Sequence, residues 1–210
     1  MKEKSNICAP ILLMAAFALT RSPGLLPWNF SAAYALAFCA GVYFPNRLAW
    51  WLPLVTLMVT DIALNCYYQF VLEIDAFQLY QLVNYVAFAA LIGLGRRFRP
   101  SDSWIKLLSG GLLGAILFYI ITNTAAWFFN PFGNPEYNKN FTGWLIALTK
   151  GTGGYPETWQ FFRNTLLSGG LFTGLFVGAM KLNEAAEAKA EEEKEHSEDP
   201  EEAKPEESKA

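Results

Sequence analysis

Long apolar stretches, rich in aromatic residues and almost free of charges, dominate the first 180 residues of this chain. Six such stretches follow one another, at residues 7–20, 30–44, 48–64, 77–94, 105–129 and 165–180. A membrane-spanning helix needs about 20 apolar residues, and a shorter stretch reaches this length when flanking Pro, Trp, Tyr or Arg lie at the headgroup level. The sequence therefore predicts an all-α fold, an integral membrane bundle of six transmembrane helices with an outer cap loop.

The charged residues divide the chain into two regions. Residues 184–210 hold 12 of the 19 acidic residues and only 4 of the 16 basic ones, so the basic excess belongs to the apolar part. A segment of high charge and few apolar residues buries too little surface to fold alone. The predicted domains are a six-helix transmembrane domain at residues 1–182 and a disordered acidic tail at residues 183–210.

The distribution of Lys and Arg predicts the orientation in the membrane, because cytosolic loops are enriched in both. With the N-terminus inside, eight basic residues of the apolar region fall on the cytosolic side and four fall outside. The expected protein is thus a multi-pass protein of a bacterial inner membrane with both termini cytosolic. The alternative for residues 1–18 is a cleaved signal peptide, since basic residues precede a short apolar run there.

The longest connection, residues 130–159, begins and ends with turn-forming Gly, Pro and Asn residues. It contains a short apolar run, residues 141–148, which cannot span a bilayer. Long connections in small proteins usually have a function. This connection is expected to form an ordered cap on the outer surface.

A few polar residues interrupt the apolar stretches, where burying them is costly. Asp61 is followed four residues later by Asn65, so that both lie on one helical face. Asn123 and Trp127 repeat this spacing. Under the predicted topology these pairs and several loop residues converge on the outer side, which favours a ligand pocket. The predicted ligand-binding residues are Trp28, Asn29, Asp61, Asn65, Tyr80, Asn84, Asn123, Trp127, Tyr155, Arg163 and Asn164.

Several kinds of chemistry are missing from the sequence. It contains no Walker A, HExxH or GxSxG motif and no Cys/His cluster, and its one histidine, His196, lies in the acidic tail. We therefore expect no enzymatic activity, no metal site, no cofactor and no nucleic-acid partner. Small residues four apart, such as Ala33, Ala37 and Gly41, predict close helix packing.

Some of these residues occur in strings that resemble an uncharacterised family of small bacterial membrane proteins. The resemblance covers roughly residues 10–180. It rests on Pro27-Trp28-Asn29-Phe30, Pro53-Leu54 before Asp61, Thr122-Asn123 with Trp127, Tyr155-Pro156, and Phe161-Phe162-Arg163-Asn164-Thr165-Leu166-Leu167.

The layout of the chain is also similar to the substrate-binding S component of energy-coupling-factor vitamin transporters. That resemblance implies six helices, cytosolic termini and a ligand pocket near the outer face beneath loops. The first functional hypothesis is a solute-binding subunit for uptake of a small molecule, with membrane lipids and an ATPase-linked coupling subunit as further partners. The alternatives are a non-catalytic membrane scaffold, whose polar residues only pair helices, and a lipid-modifying enzyme.

Overall fold

A computed structural model describes residues 8–22, 24–73 and 76–198. Over these residues it is all helical, with seven α-helices, one 3-10 helix and no β-strand. The α-helices are α1 (Cys8–Thr20), α2 (Ala33–Tyr43), α3 (Asn46–Phe70), α4 (Leu82–Gly95), α5 (Trp104–Phe129), α6 (Phe141–Thr149) and α7 (Thr158–Glu198). The 3-10 helix, Leu79–Gln81, leads directly into α4. The all-α prediction is therefore confirmed.

Three helices are long and apolar enough to cross a membrane: α3, α5 and residues 158–190 of α7. The α2 helix and the segment Leu79–Gly95 are apolar but shorter. Residues 1–7, on which part of the first predicted span and of the signal-peptide alternative falls, lie outside the described residues. The described chain thus contains three membrane-length helices where the sequence predicts six spans.

The chain divides into two compact units, residues 1–177 and residues 178–210. In the first unit α2 lies at the centre, and its residues from Ala33 to Val42 are all buried. It packs against α3, α4 and α5. Small side chains make up half of α2, so neighbouring helices approach its backbone closely. This confirms the close packing expected from Ala33, Ala37 and Gly41.

The closest helix approach joins α2 to α4. A Cβ atom built on Gly41 would lie 2.3 Å from the Ile92 carbonyl oxygen, and one built on Gly95 would lie 2.1 Å from the Phe38 carbonyl oxygen. Glycines also recur every four residues on α7, at Gly170, Gly174 and Gly178, and this stripe is looser: at Gly174 a Cβ would meet Trp104 at an ordinary 3.5 Å. The crossing of α2 and α4 therefore depends on glycine at both contact points.

Helix ends follow ordinary capping chemistry. The Asn140 side chain accepts a hydrogen bond from the Gly143 N–H at 2.8 Å, which begins α6. Asn130 ends α5 in the left-handed region, with φ 41°, which asparagine tolerates better than most residues. The apolar run in the predicted cap thus forms a separate helix, which packs against α5.

The Asp102 carboxylate stabilises the connection between α4 and α5 with two hydrogen bonds. Lys106 Nζ donates to Asp102 Oδ1 at 2.7 Å, and the Arg99 N–H donates to Asp102 Oδ2 at 2.9 Å. These two hydrogen bonds, the first more than the second, hold the pKa of Asp102 below its ordinary value. A connection this short makes α4 and α5 antiparallel neighbours.

The second unit differs from the sequence prediction. The structure is helical up to Glu198, whereas disorder is predicted from residue 183. Ala, Glu and Lys dominate this segment, and all three favour helix. Asn183 also donates to Glu187 at 2.8 Å across one turn. Residues 199–210, the rest of the predicted tail, lie outside the described residues.

Candidate functional site

A cavity of about 610 Å³ lies in the first unit, at the end of the bundle where α1 joins α2. Its walls come from that connection, from α2 to α5, from the 3-10 helix and from Phe161 of α7. Small-molecule sites commonly measure about 300–1,000 Å³. The cavity is thus large enough for a small organic solute.

Three aromatic rings form one end of the cavity, which we call the aromatic floor. Tyr34, Phe88 and Phe118 belong to it, and the first two are almost fully buried. The Tyr34 and Phe118 ring centroids are 4.7 Å apart, and those of Phe88 and Phe118 are 5.0 Å apart. Such contacts hold the rings in fixed positions and provide a rigid apolar surface.

One helical turn above the floor the lining becomes polar. Asn84 precedes Phe88 by four residues on α4, and Thr122 follows Phe118 by four residues on α5. Since the two helices are antiparallel, these polar residues lie on the same side of the floor. Together with Asn123 they form what we call the amide tier.

The side chains of the amide tier differ in whether they already form hydrogen bonds within the protein. Thr122 Oγ1 donates to the Phe118 carbonyl at 2.9 Å, and Asn123 Nδ2 donates to the Tyr119 carbonyl at 2.9 Å. Asn84, which is half-buried, makes no hydrogen bond to any residue that the structure describes. A half-buried amide without a partner is costly unless water or a ligand bonds it.

An ion pair stands beside the amide tier. Arg21, from the α1–α2 connection, lines the cavity and pairs with Asp61 of α3. Both side chains are mostly buried, with 19% and 16% of their surfaces exposed. Tyr85 also interacts with the Asp61 carboxylate, and Arg21 lies 5.7 Å from the centre of the Phe17 ring. The charge of Arg21 is therefore balanced within the protein.

The α1–α2 connection forms one wall of the cavity and is attached to α7. Trp28 stacks on Phe161 with centroids 5.9 Å apart and planes 11° apart. The Asn164 amide donates to the Trp28 carbonyl at 2.9 Å. Asn29 adopts a left-handed φ of 58°, and its carbonyl accepts from the Tyr34 hydroxyl at 3.3 Å. This wall, residues 20–22 and 24–31, is held by contacts that an exposed loop would lack.

A smaller cavity of about 390 Å³ lies next to the first. The two share Arg21, Ser22 and Leu64, and the smaller one is otherwise lined by α1 and α3 residues such as Thr60 and Tyr67. Arg21 therefore lines both cavities.

Five of the predicted ligand-binding residues line the larger cavity: Trp28, Asn29, Tyr80, Asn84 and Asn123. Three more do not line the cavity but bond residues that line it or lie next to its lining. Asp61 holds Arg21, and Asn164 holds the carbonyl of Trp28. Asn65 pairs with Gln81, donating to its Oε1 at 2.9 Å, next to the lining residue Tyr80.

The other three predicted residues lie away from the cavity. Trp127 turns toward the cap, where its indole N–H donates to the Asn138 carbonyl at 2.7 Å. Arg163 lies over the Trp159 ring at 5.7 Å. Tyr155 is 70% exposed.

The cap itself, residues 130–159, supplies none of the described residues that line the larger cavity. The pocket predicted beneath the cap, lined by Asp61, Asn65, Asn123, Trp127, Arg163 and Asn164, stays a prediction; of these six residues, Asn123 lines the larger cavity. Four-residue spacing places two side chains on one helical face, but it does not say which neighbour that face meets.

Sequence reasoning also missed the aromatic floor. Tyr34, Phe88 and Phe118 sit among many aromatics of similar context, so composition alone does not distinguish them. One signal was present: Tyr34 directly follows the first member of the small-residue stripe on α2, the helix that proved central. Among the described residues no three His, Cys, Asp or Glu side chains come together as a metal site would require.

The comparisons with known proteins give one match. No curated protein and no solved structure matches the chain significantly, so the likeness to the transporter S component remains a resemblance of layout. The resemblance to an uncharacterised family is confirmed, over a longer part of the chain than the quoted strings cover. The chain belongs to the family of unknown function DUF6580, which it matches over residues 1–192.

Proposed function

We propose that this chain is a membrane-embedded solute-binding protein, the substrate-binding subunit of an uptake system for a small molecule. The observation that carries the proposal is the larger cavity, in which the Asn84 amide faces space without a partner among the described residues. Such a group is stabilised by water in the empty site and by solute in the filled one.

The membrane setting is supported by the outward surface of α3. Trp51, Val59 and Ile62 are 69%, 57% and 51% exposed, although this helix is long and apolar enough to cross a bilayer. Large apolar side chains on a free helix face are stable in lipid and unfavourable in water. Under the proposal α1, α2 and α4 also cross, with flanking residues at the headgroup level, to give six spans.

The proposed location is a bacterial inner membrane with both termini in the cytosol. Reporter fusions after Lys4 and after Lys181 test this orientation. Cytosolic activity is expected at both positions, because most Lys and Arg residues would then lie inside. Periplasmic activity at either fusion contradicts the topology. A coupling subunit with ATPases is the partner that the proposed role requires.

Replacing Trp28 by alanine tests the binding role. Trp28 lines the cavity and stacks on Phe161, so its removal opens the wall that the α1–α2 connection forms. We expect solute retention to fall about tenfold, equivalent to about 1.4 kcal/mol, while the unfolding midpoint changes little. Native mass spectrometry of protein purified in mild detergent measures the retained solute.

Trp127→Ala is the matched control, because Trp127 lies outside the cavity and bonds the cap. It should lower stability by about 1 kcal/mol through the lost hydrogen bond and leave retention unchanged. Equal retention by wild type and the Trp28→Ala variant would contradict the proposed site.

The scaffold alternative has a specific observation in its favour. Asn65 and Gln81 bond each other, and Gln81 also donates to the Ala76 carbonyl at 2.8 Å, so this pair joins α3 to the segment before α4, and neither residue is among those that line the larger cavity. A scaffold predicts that all the polar groups pair in this way. Asn84 does not, and this difference favours solute binding.

A further inference from the structure

The charge balance of the cavity limits the kind of molecule it can hold. Arg21 is the only charged residue in its described lining, and Asp61 already neutralises it. An ionised ligand would enter a space whose one described charged side chain is already paired, so it would find no free counter-ion there, which is unfavourable. Arg21 Nε has no hydrogen-bond partner among the described residues, but a carboxylate bound to Arg21 would share that one cation with Asp61, and two like charges beside each other are unfavourable. The lining therefore disfavours both anions and cations.

The aromatic floor limits the shape of the molecule. Tyr34, Phe88 and Phe118 contact one another at centroid distances between 4.7 and 6.2 Å. Aromatic surfaces gain most from another flat ring, stacked or edge-on, and less from a flexible chain. Because the three rings are fixed, the floor favours a planar solute.

The amide tier limits the polar groups of the molecule. A primary amide offers an oxygen acceptor and two N–H donors, and in Asn84 all of them are without a protein partner among the described residues. Asn123 uses its Nδ2 toward the Tyr119 carbonyl, so its oxygen is the group left to accept. These groups match a ligand edge on which an N–H donor stands next to a carbonyl acceptor.

We infer that the cavity takes an uncharged planar molecule, an aromatic or heteroaromatic ring with an amide-like edge, whose ring lies on the aromatic floor and whose edge bonds the amide tier. This inference rests on the proposed function and adds the chemical class of the solute. The pairing of Arg21 with Asp61 then keeps the site neutral and selects against charged solutes. Asn84 hydrogen-bonds the polar edge of the solute.

Three probes of nearly equal size and shape test the inference: benzamide, benzoate and benzamidinium. They differ mainly in charge, which is zero, negative and positive respectively. Binding to the purified full-length protein in mild detergent is followed through tryptophan fluorescence and through the shift in unfolding temperature. We expect benzamide to bind at least ten times more tightly than either ion.

Two variants identify the groups that produce this preference. Asn84→Ala should weaken benzamide binding about tenfold, because the amide edge loses its partner, whereas Asn138→Ala, an exposed asparagine outside the cavity, should leave binding unchanged. Asp61→Asn frees the charge of Arg21 and should shift the preference toward benzoate. The Asn84 variant alone decides the role of the amide tier if the Asp61 variant does not fold.

The outcomes separate the inference from the proposed function. Benzoate or benzamidinium binding as tightly as benzamide overturns the ligand class, while saturable binding of any probe that is lost in Trp28→Ala still supports a solute site. Binding of none of the three probes at millimolar concentration also overturns the ligand class. In that case a small molecule that co-purifies with the wild-type protein still supports solute binding. A wild-type protein that carries no such molecule contradicts solute binding.

Discussion

Replacing Gly95 by alanine is expected to destabilise the protein by about 3 kcal/mol, one of the two largest effects we expect from a single substitution. The new Cβ would lie 2.1 Å from the Phe38 carbonyl oxygen and 3.0 Å from the Gly41 Cα, both of them backbone atoms. Backbone cannot rotate aside as a side chain can, so α2 and α4 would have to separate. Because α2 is the centre of the bundle, this separation disturbs the core.

Gly93→Ala is the matched control, two residues earlier in the same helix. Its nearest neighbour would be the Trp50 ring at 4.0 Å, so the methyl group fits. Alanine favours helix over glycine by up to about 1 kcal/mol, and this variant should be as stable as the wild type or more so. Unfolding in mild detergent measures both variants. Equal stability of the two would contradict the close crossing.

Replacing Arg21 by methionine is expected to cost about 3 kcal/mol, because Asp61 is left mostly buried without its partner. The double variant Arg21→Met/Asp61→Leu should recover most of that loss, since neither charge then remains. A double-mutant cycle in detergent measures the coupling between the two positions.

Lys106→Met provides the comparison for the Arg21 variant. Lys106 also pairs with an aspartate, Asp102, which is 16% exposed, as Asp61 is, but the Lys106 side chain itself is 58% exposed. Asp102 also accepts from the Arg99 N–H at 2.9 Å, so it keeps a partner when Lys106 is lost. A pair with an exposed member contributes at most about 1 kcal/mol, so this variant should be close to the wild type. A loss at Arg21 no larger than the loss at Lys106 would show that the Arg21–Asp61 pair is solvated and would remove the basis for a neutral cavity.

Much of the fold could be predicted from the sequence because its main signals are local. Apolar runs with few charges locate helices α1 to α5 and the start of α7 to within several residues. The small residues of α2 also predicted its close packing, since helices can approach only where side chains are absent. Gly41 is the predicted residue at the closest of these contacts, whereas its partner Gly95 on α4 was not predicted.

The candidate site could be predicted only in part, because it depends on which helix faces meet. Asn123 was identified from the cost of an amide in an apolar stretch and Asn84 from its four-residue spacing with Tyr80, and both line the cavity. Trp127 has the same kind of context, yet it bonds the cap at Asn138. No local pattern distinguishes the two outcomes, since the difference arises from the packing of α6 against α5.

The wall that the α1–α2 connection forms was harder to foresee than the helices. Trp28 was predicted as a ligand-binding residue, but its contacts with Phe161 and Asn164 join positions more than 130 residues apart, which no local pattern shows. The length of α7 is a separate case. Charge suggested a disordered tail, whereas the helix propensity of Ala, Glu and Lys extends the helix to Glu198.

The most direct test of solute binding is native mass spectrometry of the wild-type protein purified in mild detergent, followed by release of bound molecules on unfolding. We predict one small uncharged molecule per chain, present in the wild-type and Asn138→Ala proteins and strongly reduced in Asn84→Ala. The reason is that, of these two asparagines, Asn84 lines the cavity and Asn138 does not. A wild-type chain that carries no molecule, or one whose bound molecule is kept fully by Asn84→Ala, would contradict the account.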